Sequence, residues 1–238
     1  SIDMGTGDDS VSAMFTGTWG TPAIGSASLV KLDGGAGTDT ISFEEGTPAA
    51  NTVLSLTTAN ATNFENLTGG SNAETLNGDN NANILRGKGG ADTLNGNGGN
   101  DILVASGNDL AGADSASTND NLYGGAGNDT LNGTAGDNIL DGGTGADIIY
   151  SGNGSDTIVI RSGDGGSSIT DADILQNCSD TNDIIGMDGL NYSDLTVEQG
   201  TGSYSSHVVV KKTDTGEFLV IIQNTLLSSI SDSDFSAI

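Results

Sequence analysis

A nine-residue period constrains this chain more than any other feature of it. The fullest copy is Gly124-Gly125-Ala126-Gly127-Asn128-Asp129-Thr130-Leu131-Asn132, which fits G-G-x-G-x-D-x-U-x at every fixed place, U being a large apolar residue. Further copies read Gly34-Gly35-Ala36-Gly37-Thr38-Asp39-Thr40-Ile41 and Gly142-Gly143-Thr144-Gly145-Ala146-Asp147-Ile148-Ile149. One such unit places a single apolar side chain inward and cannot bury a core alone, so the copies have to stack as a solenoid.

The period divides the chain into three regions. Residues 1–66 hold two isolated copies, Met4 to Ser12 and Gly34 to Ser42, joined by Thr, Ala and Ser stretches with apolar punctuation at Val53-Leu54-Ser55-Leu56; they read as irregular outer coils. Residues 67–159 carry the regular array. Its copies start at Gly69, Gly78, Gly87 and Gly96, break at about 105–114, resume at Ser115 and continue from Gly124, Gly133, Gly142 and Ser151. The break keeps a repeat-like Gly107-Asn108-Asp109-Leu110. Residues 160–238 change to alternating apolar stretches, Val208-Val209-Val210 and Phe218-Leu219-Val220-Ile221-Ile222, with one short helical turn expected within Leu190 to Leu195. This flank is expected to cap the solenoid, whose last coil would otherwise leave unpaired backbone and bare apolar side chains, the alternative being a small independent β domain.

Within each repeat a six-residue turn precedes a three-residue strand. Glycine at the first, second and fourth places is expected to allow positive φ, so that carbonyl oxygens turn toward one point. Alternate residues of a strand face opposite sides, which sends Leu131, Leu140, Ile149 and Ile158 into the core.

Charge narrows the partners. The 238 residues carry 32 Asp plus Glu against 6 Lys plus Arg, a formal net charge of −26. Nucleic acid and anionic membrane surfaces are disfavoured as partners, and cations are favoured. Only 34% of residues are apolar, so a metal-free chain of this kind tends to disorder. Cys178 is the single cysteine, so no intrachain disulfide offsets the repulsion. The opening residues are neither a signal peptide nor a membrane span and enter mid-repeat, the expectation for a piece of a longer protein.

The repeats resemble the RTX (repeats-in-toxin) haemolysin-type family of secreted Gram-negative proteins. The resemblance implies an all-β fold, a parallel β-roll with two nonapeptides per coil and, in this chain, a β-rich C-terminal cap. Two nonapeptides per coil make Asp129 and Asp147 vertical neighbours about 4.8 Å apart. Two carboxylates so placed repel, and a hard dication between them reverses the sign. Several Ca2+ ions are therefore expected, because a cage of turn carbonyls suits calcium's radius better than magnesium's. Zinc and copper are disfavoured, since the turns offer neither sulfur nor imidazole.

The side chains expected at the ions are Asp9, Asp39, Glu74, Asp92, Asp101, Asp109, Asp120, Asp129, Asn138, Asp147 and Asp156. The backbone of Gly35, Gly37, Gly87, Gly89, Gly96, Gly98, Gly125, Gly127, Gly143, Gly145, Gly152 and Gly154 is expected to complete the cages. The pairs Asp129 with Asp147 and Glu74 with Asp92 should outrank Asn83 with Asp101, Asp120 with Asn138 and Asn138 with Asp156, because Asn83 and Asn138 keep an oxygen but lose the charge. Asp9 and Asp39 become neighbours only if the coil between them is longer than the standard one.

By the same resemblance the chain is the calcium-binding module of a larger secreted or surface protein. It would pass a type I exporter unfolded and fold outside, and its partners would be the exporter and its own upstream domains. The stretch Asp232 to Ile238 is compatible with an uncleaved export signal. An enzyme is the rival class, a protease, lipase, epimerase or lyase whose catalytic domain lies upstream. Within this chain no HExxH, GxSxG, CxxC or Walker loop occurs, and the single His207 reads as an exposed residue at a strand edge. Ice or carbohydrate binding finds no support: the third places of the repeats form no threonine file, and aromatics are 4% of the chain.

Overall fold

Leu131 shows how nine residues become one wall of the fold. In the strand Thr130–Asn132 its side chain is fully buried while the preceding Thr130, on the opposite side of the pleat, stands half-exposed. Ile149 lies beside it in parallel register, 18 residues along the chain at the level of the preceding aspartates. On the facing wall Leu94, Leu122, Leu140 and Ile158 stack in the same way. All are fully buried in one continuous core, and each contributes about 2 kcal/mol by leaving water.

The computed structural model describes residues 2–13, 32–43, 52–56, 61–106, 118–178 and 182–238. Among them two sheets form the walls of a parallel β-roll. One has eight strands in chain order, Thr52–Ser55, Glu74–Asn77, Thr93–Gly98, Asn121–Ala126, Ile139–Thr144, Thr157–Arg161, Ile184–Asp188 and Phe235–Ala237. The other has eleven. It begins with Ser10–Ala13, Thr40–Phe43, Asn66–Thr68, Ile84–Arg86, Ile102–Val104 and Thr130–Asn132, and continues through Ile148–Tyr150 and Asp173–Gln176. A small sheet of Ile2–Asp3, Leu32–Asp33 and Ala61–Thr62 stands apart from both. The only helices among the described residues are short 3-10 turns, one of them Tyr192–Asp194, and none is long and apolar enough to cross a membrane.

The break in the period does not break the stack. Thr93 pairs with Asn121 and Ile102 with Thr130, so rungs that are 18 residues apart in the adjoining repeats are here 28 apart, in unchanged register. Gly107, Asp109 and Leu110 lie outside the described residues. The coil between the first two copies is longer still: Ser10 pairs with Thr40, which makes Asp9 and Asp39 neighbours at a separation of 30.

The consensus copies end near Val159, but the rungs go on. Asp173–Gln176 lies on Ile148–Tyr150, and Ile184–Asp188 lies on Thr157–Arg161, both parallel and in register. Phe218–Ile222 adds to the first of these and Phe235–Ala237 to the second. Only then does direction change, as Val208–Lys212 and Leu195–Gln199 pair antiparallel at the end of the eleven-stranded sheet. His207 precedes that strand as expected but is half-buried rather than exposed, its Nδ1 accepting the N–H of Asn224 at 3.1 Å.

Candidate metal sites

The turn from Gly124 to Asp129 shows why the consensus takes its form. Gly125 and Gly127 hold φ of 109° and 134°, in the left-handed region that glycine tolerates. Gly124 does not, and the expectation of positive φ at the first place is corrected. Its glycine is required by crowding, since a Cβ there would lie 2.5 Å from both Asp129 Oδ2 and the carbonyl oxygen of Gly142 in the next rung. Only a residue without a side chain lets those two oxygens approach the same stretch of backbone.

In the repeats from Gly87 and Gly96 the expected Gly89 and Gly98 occupy third places. The left-handed residues there are Lys88 and Gly90 (φ 77° and 103°) and Asn97 and Gly99 (75° and 99°). Gly35, Gly37, Gly143, Gly145, Gly152 and Gly154 do stand at positive φ.

The sixth-place side chains form two files, one on each edge of the roll. On the first edge Oδ1 of Asp147 accepts the backbone N–H of Asp129 at 2.7 Å, and Asp129 likewise accepts from Asp101, and Asp101 from Asn83, each at 2.7 Å. The file extends through Asp9 to Asp39 (2.8 Å) and Asp39 to Glu65 (2.7 Å) at one end, and Asp147 to Asp173 (3.0 Å) at the other. On the second edge the order is Glu74, Asp92, Asp120, Asn138, Asp156 and Asp183, with N–H to side-chain oxygen distances of 2.7, 2.7, 2.9, 2.8 and 3.1 Å.

Glu65, Asp173 and Asp183 escaped the sequence reading because their turns are not nonapeptides. The signal was present in the short strings Glu65-Asn66-Leu67, Asp173-Ile174-Leu175 and Asp183-Ile184-Ile185, an acid two places before an inward aliphatic residue.

Along both files several carboxylates have one oxygen left over. The second carboxylate oxygens of Asp9, Asp39, Asp92, Asp101, Asp129, Asp147 and Asp156, and Oε1 of Glu74, are buried without a hydrogen-bond partner. So much buried anionic oxygen is costly unless a cation or a proton answers it. Burial accordingly pushes the carboxyls of Glu74 and Asp101 up to about 7 and that of Asp92 to about 8, against the backbone N–H bonds that lower them. Asp147 rises to about 7 and Asp173 to about 9, first by burial and then by repulsion between neighbouring carboxylates.

A hard dication fits this donor set, which is all oxygen and faces turn carbonyls. Among the described residues no three or more His, Cys, Asp or Glu side chains converge as a transition-metal site requires, so backbone oxygens have to complete any cage.

Not every place is alike. Oδ2 of Asp120 is within 3.3 Å of the Thr118 hydroxyl, and Asn83 presents an unpartnered Nδ2 while its Oδ1 accepts the N–H of Asp79 at 2.8 Å. Asn138 has both ends of its amide bonded.

A second, opposed ladder runs outside the first. Fifth-place oxygens accept the N–H of the following rung: Asn100 from Asn128 (2.9 Å), Asn128 from Ala146 (3.1 Å), Asn119 from Asp137 (2.9 Å) and Asp137 from Ser155 (2.9 Å). Sixth-place bonds therefore run from each rung to the next, and fifth-place bonds return.

Where the consensus stops, a side-chain cation stands at the end of the strand Thr157–Arg161. Arg161 meets Asp141 through Nη1 at 3.0 Å and Nη2 at 2.6 Å, and Asp188 through Nε at 3.2 Å. Its backbone N–H donates to Asp164 Oδ2 at 2.9 Å. One guanidinium thus faces acids from successive rungs, a fork that fits carboxylates two oxygens at a time.

The fold is a parallel β-roll with files of acids along its turns. Segments 23–47, 68–103, 77–110, 116–149 and 123–158 match the RTX calcium-binding nonapeptide repeat. No curated protein matches the chain in sequence. Among solved structures the extracellular lipase LipA from Serratia marcescens is similar, at 16% identity and a TM-score of 0.36. That match covers 84% of this chain and 44% of the lipase, so this chain spans less than half of the lipase's length.

Proposed function

We propose that this chain is a calcium-dependent folding module of a larger secreted or cell-surface protein, not itself a catalyst. The observation that carries the reading is the file of buried, unpartnered carboxylate oxygens along both edges of the roll. Asp39, Asp101, Asp129 and Asp147 would hold ions on one edge and Glu74, Asp92 and Asp156 on the other, with turn carbonyls completing each shell.

Bound calcium supplies positive charge that desolvated carboxylates otherwise lack. The chain's own part is to hold those oxygens in register by the Oδ1 bonds and to exclude water with the leucine core. With a net charge of −26 the metal-free chain repels itself, which suits passage through a type I exporter in a calcium-poor cytoplasm. Outside, each site held at about 100 times its dissociation constant adds about 2.7 kcal/mol to the folded state.

Circular dichroism of the chain in EDTA and then in millimolar calcium tests this. The expected result is a β spectrum that appears with calcium; a β spectrum unchanged by chelator overturns the proposal.

A further inference from the structure

Asn138 occupies a sixth place, yet its side chain answers every demand that its turn makes. Oδ1 accepts the N–H of Asp120 at 2.9 Å, the same bond that Asp147 makes to Asp129. The other end differs in kind. Nδ2 donates to the carbonyl oxygens of Gly133 and Gly136, both at 3.0 Å, which are the first and fourth places of its own turn. In the aspartate turns the corresponding atom is an oxygen, and it is left bare.

The orientation of this amide follows from its neighbours. Reversing it would set an oxygen against two carbonyl oxygens and an NH2 against a backbone N–H, three contacts of matching polarity in place of three hydrogen bonds. The Gly133 carbonyl also accepts the hydroxyl of Thr134 at 2.6 Å, so both its lone pairs are engaged.

We infer that Asn138 is a covalently attached substitute for a calcium ion and decides which turns of the roll load metal. Its two N–H bonds do for the turn Gly133 to Asn138 what a dication does for the turn Gly124 to Asp129: they gather the turn carbonyls and remove the need for a counter-charge. The expectation that Asn138 is a ligand is replaced by the opposite role. The neighbouring rung agrees, because Asp120 has its Oδ2 at the Thr118 hydroxyl and is absent from the unpartnered oxygens. The second edge therefore loads at Glu74, Asp92 and Asp156 but is interrupted across Asp120 and Asn138. The first edge runs unbroken through Asp101, Asp129 and Asp147.

This inference rests on the calcium reading, and counting ions separates the two. Calcium bound per chain is measured by equilibrium dialysis and native mass spectrometry on the wild type, Asn138→Asp and Asn138→Ala. Asn138→Asp is expected to bind one ion more than the wild type, since it restores a bare oxygen to the turn. Asn138→Ala is expected to bind the same number but to need severalfold more calcium for half-folding, because three side-chain hydrogen bonds are lost. The converse change, Asp129→Asn, should remove an ion.

An unchanged count in Asn138→Asp, or a lost ion in Asn138→Ala, overturns the role of Asn138 alone. If Asn138→Asp fails to fold, the count in Asn138→Ala still decides. A wild-type chain that binds no calcium overturns the folding-module reading and this inference with it.

Discussion

The backbone N–H of Asp129 donates to Oδ1 of Asp147 at 2.7 Å while Oδ2 of each residue stays buried and unpartnered. The same side chain thus ties two rungs together and faces the turn with an unanswered charge. Replacing Asp129 with Ala removes both functions and leaves Asp147 and Asp101 without their shared neighbour. Asp129→Ala is expected to cost calcium-loaded folding about 3 kcal/mol, whereas Asp214→Ala, whose side chain is 70% exposed in the flank, should be near neutral. Calcium titrations followed by circular dichroism compare them; equal midpoints would contradict the assigned register.

Acid should stabilise the metal-free roll. The carboxyls of Glu74, Asp92, Asp101 and Asp147 stand at about 7 to 8 when folded, above their ordinary values of 4.5 for Glu and 3.8 for Asp. Between those values the folded chain holds protons that the unfolded chain has released, so stability falls as pH rises through the folded values and is fully present below the ordinary ones. In EDTA, β structure should therefore increase on acidification from pH 8 to about pH 4. With calcium the sense reverses, because protons compete for the same oxygens and the calcium midpoint climbs as pH falls. A pH series of spectra with and without metal checks both signs.

The fifth-place ladder should act without metal. Asn128 accepts the N–H of Ala146 and donates its own to Asn100, both at exposed positions. Asn128→Ala is expected to cost about 1 kcal/mol in urea unfolding at saturating calcium and to leave the number of bound ions unchanged. A lost ion would show that the outer ladder is part of a cage.

The flank should matter to every repeat before it. Removing residues 160–238 takes away the strands that cover Ile149 and Ile158 and pair their backbone edges. The shortened chain is expected to aggregate or to need more calcium to fold, although all its consensus repeats remain. Folding at the same calcium concentration as the whole chain would show that the flank is an independent unit.

The inward file of Leu131, Leu140, Ile149 and Ile158 was legible because one apolar residue at a fixed place in each repeat can face only one way in a strand. The acids of the regular repeats were legible for the same reason. Asp173 and Asp183 were not, because the period is set by turn length and the coils that lead to them are longer, 26 and 27 residues in place of 18, while the rungs keep their register. The reason for the first glycine was also hidden: Gly124 answers to an oxygen of the next rung, which no reading along the chain can see. Asn138 looked like a weaker aspartate in sequence, and only the structure sets two carbonyl oxygens around its Nδ2.

The register that survives a step of 28 residues between Thr93 and Asn121 says how such a chain can come to exist. What each rung recognises is the rung below it, not its distance along the polypeptide. A gene for this roll can lengthen by copying any coil, or accept foreign sequence at a turn, and the flanking coils inherit neighbours that they already fit. Heredity here needs only to preserve a unit, and length becomes free to vary.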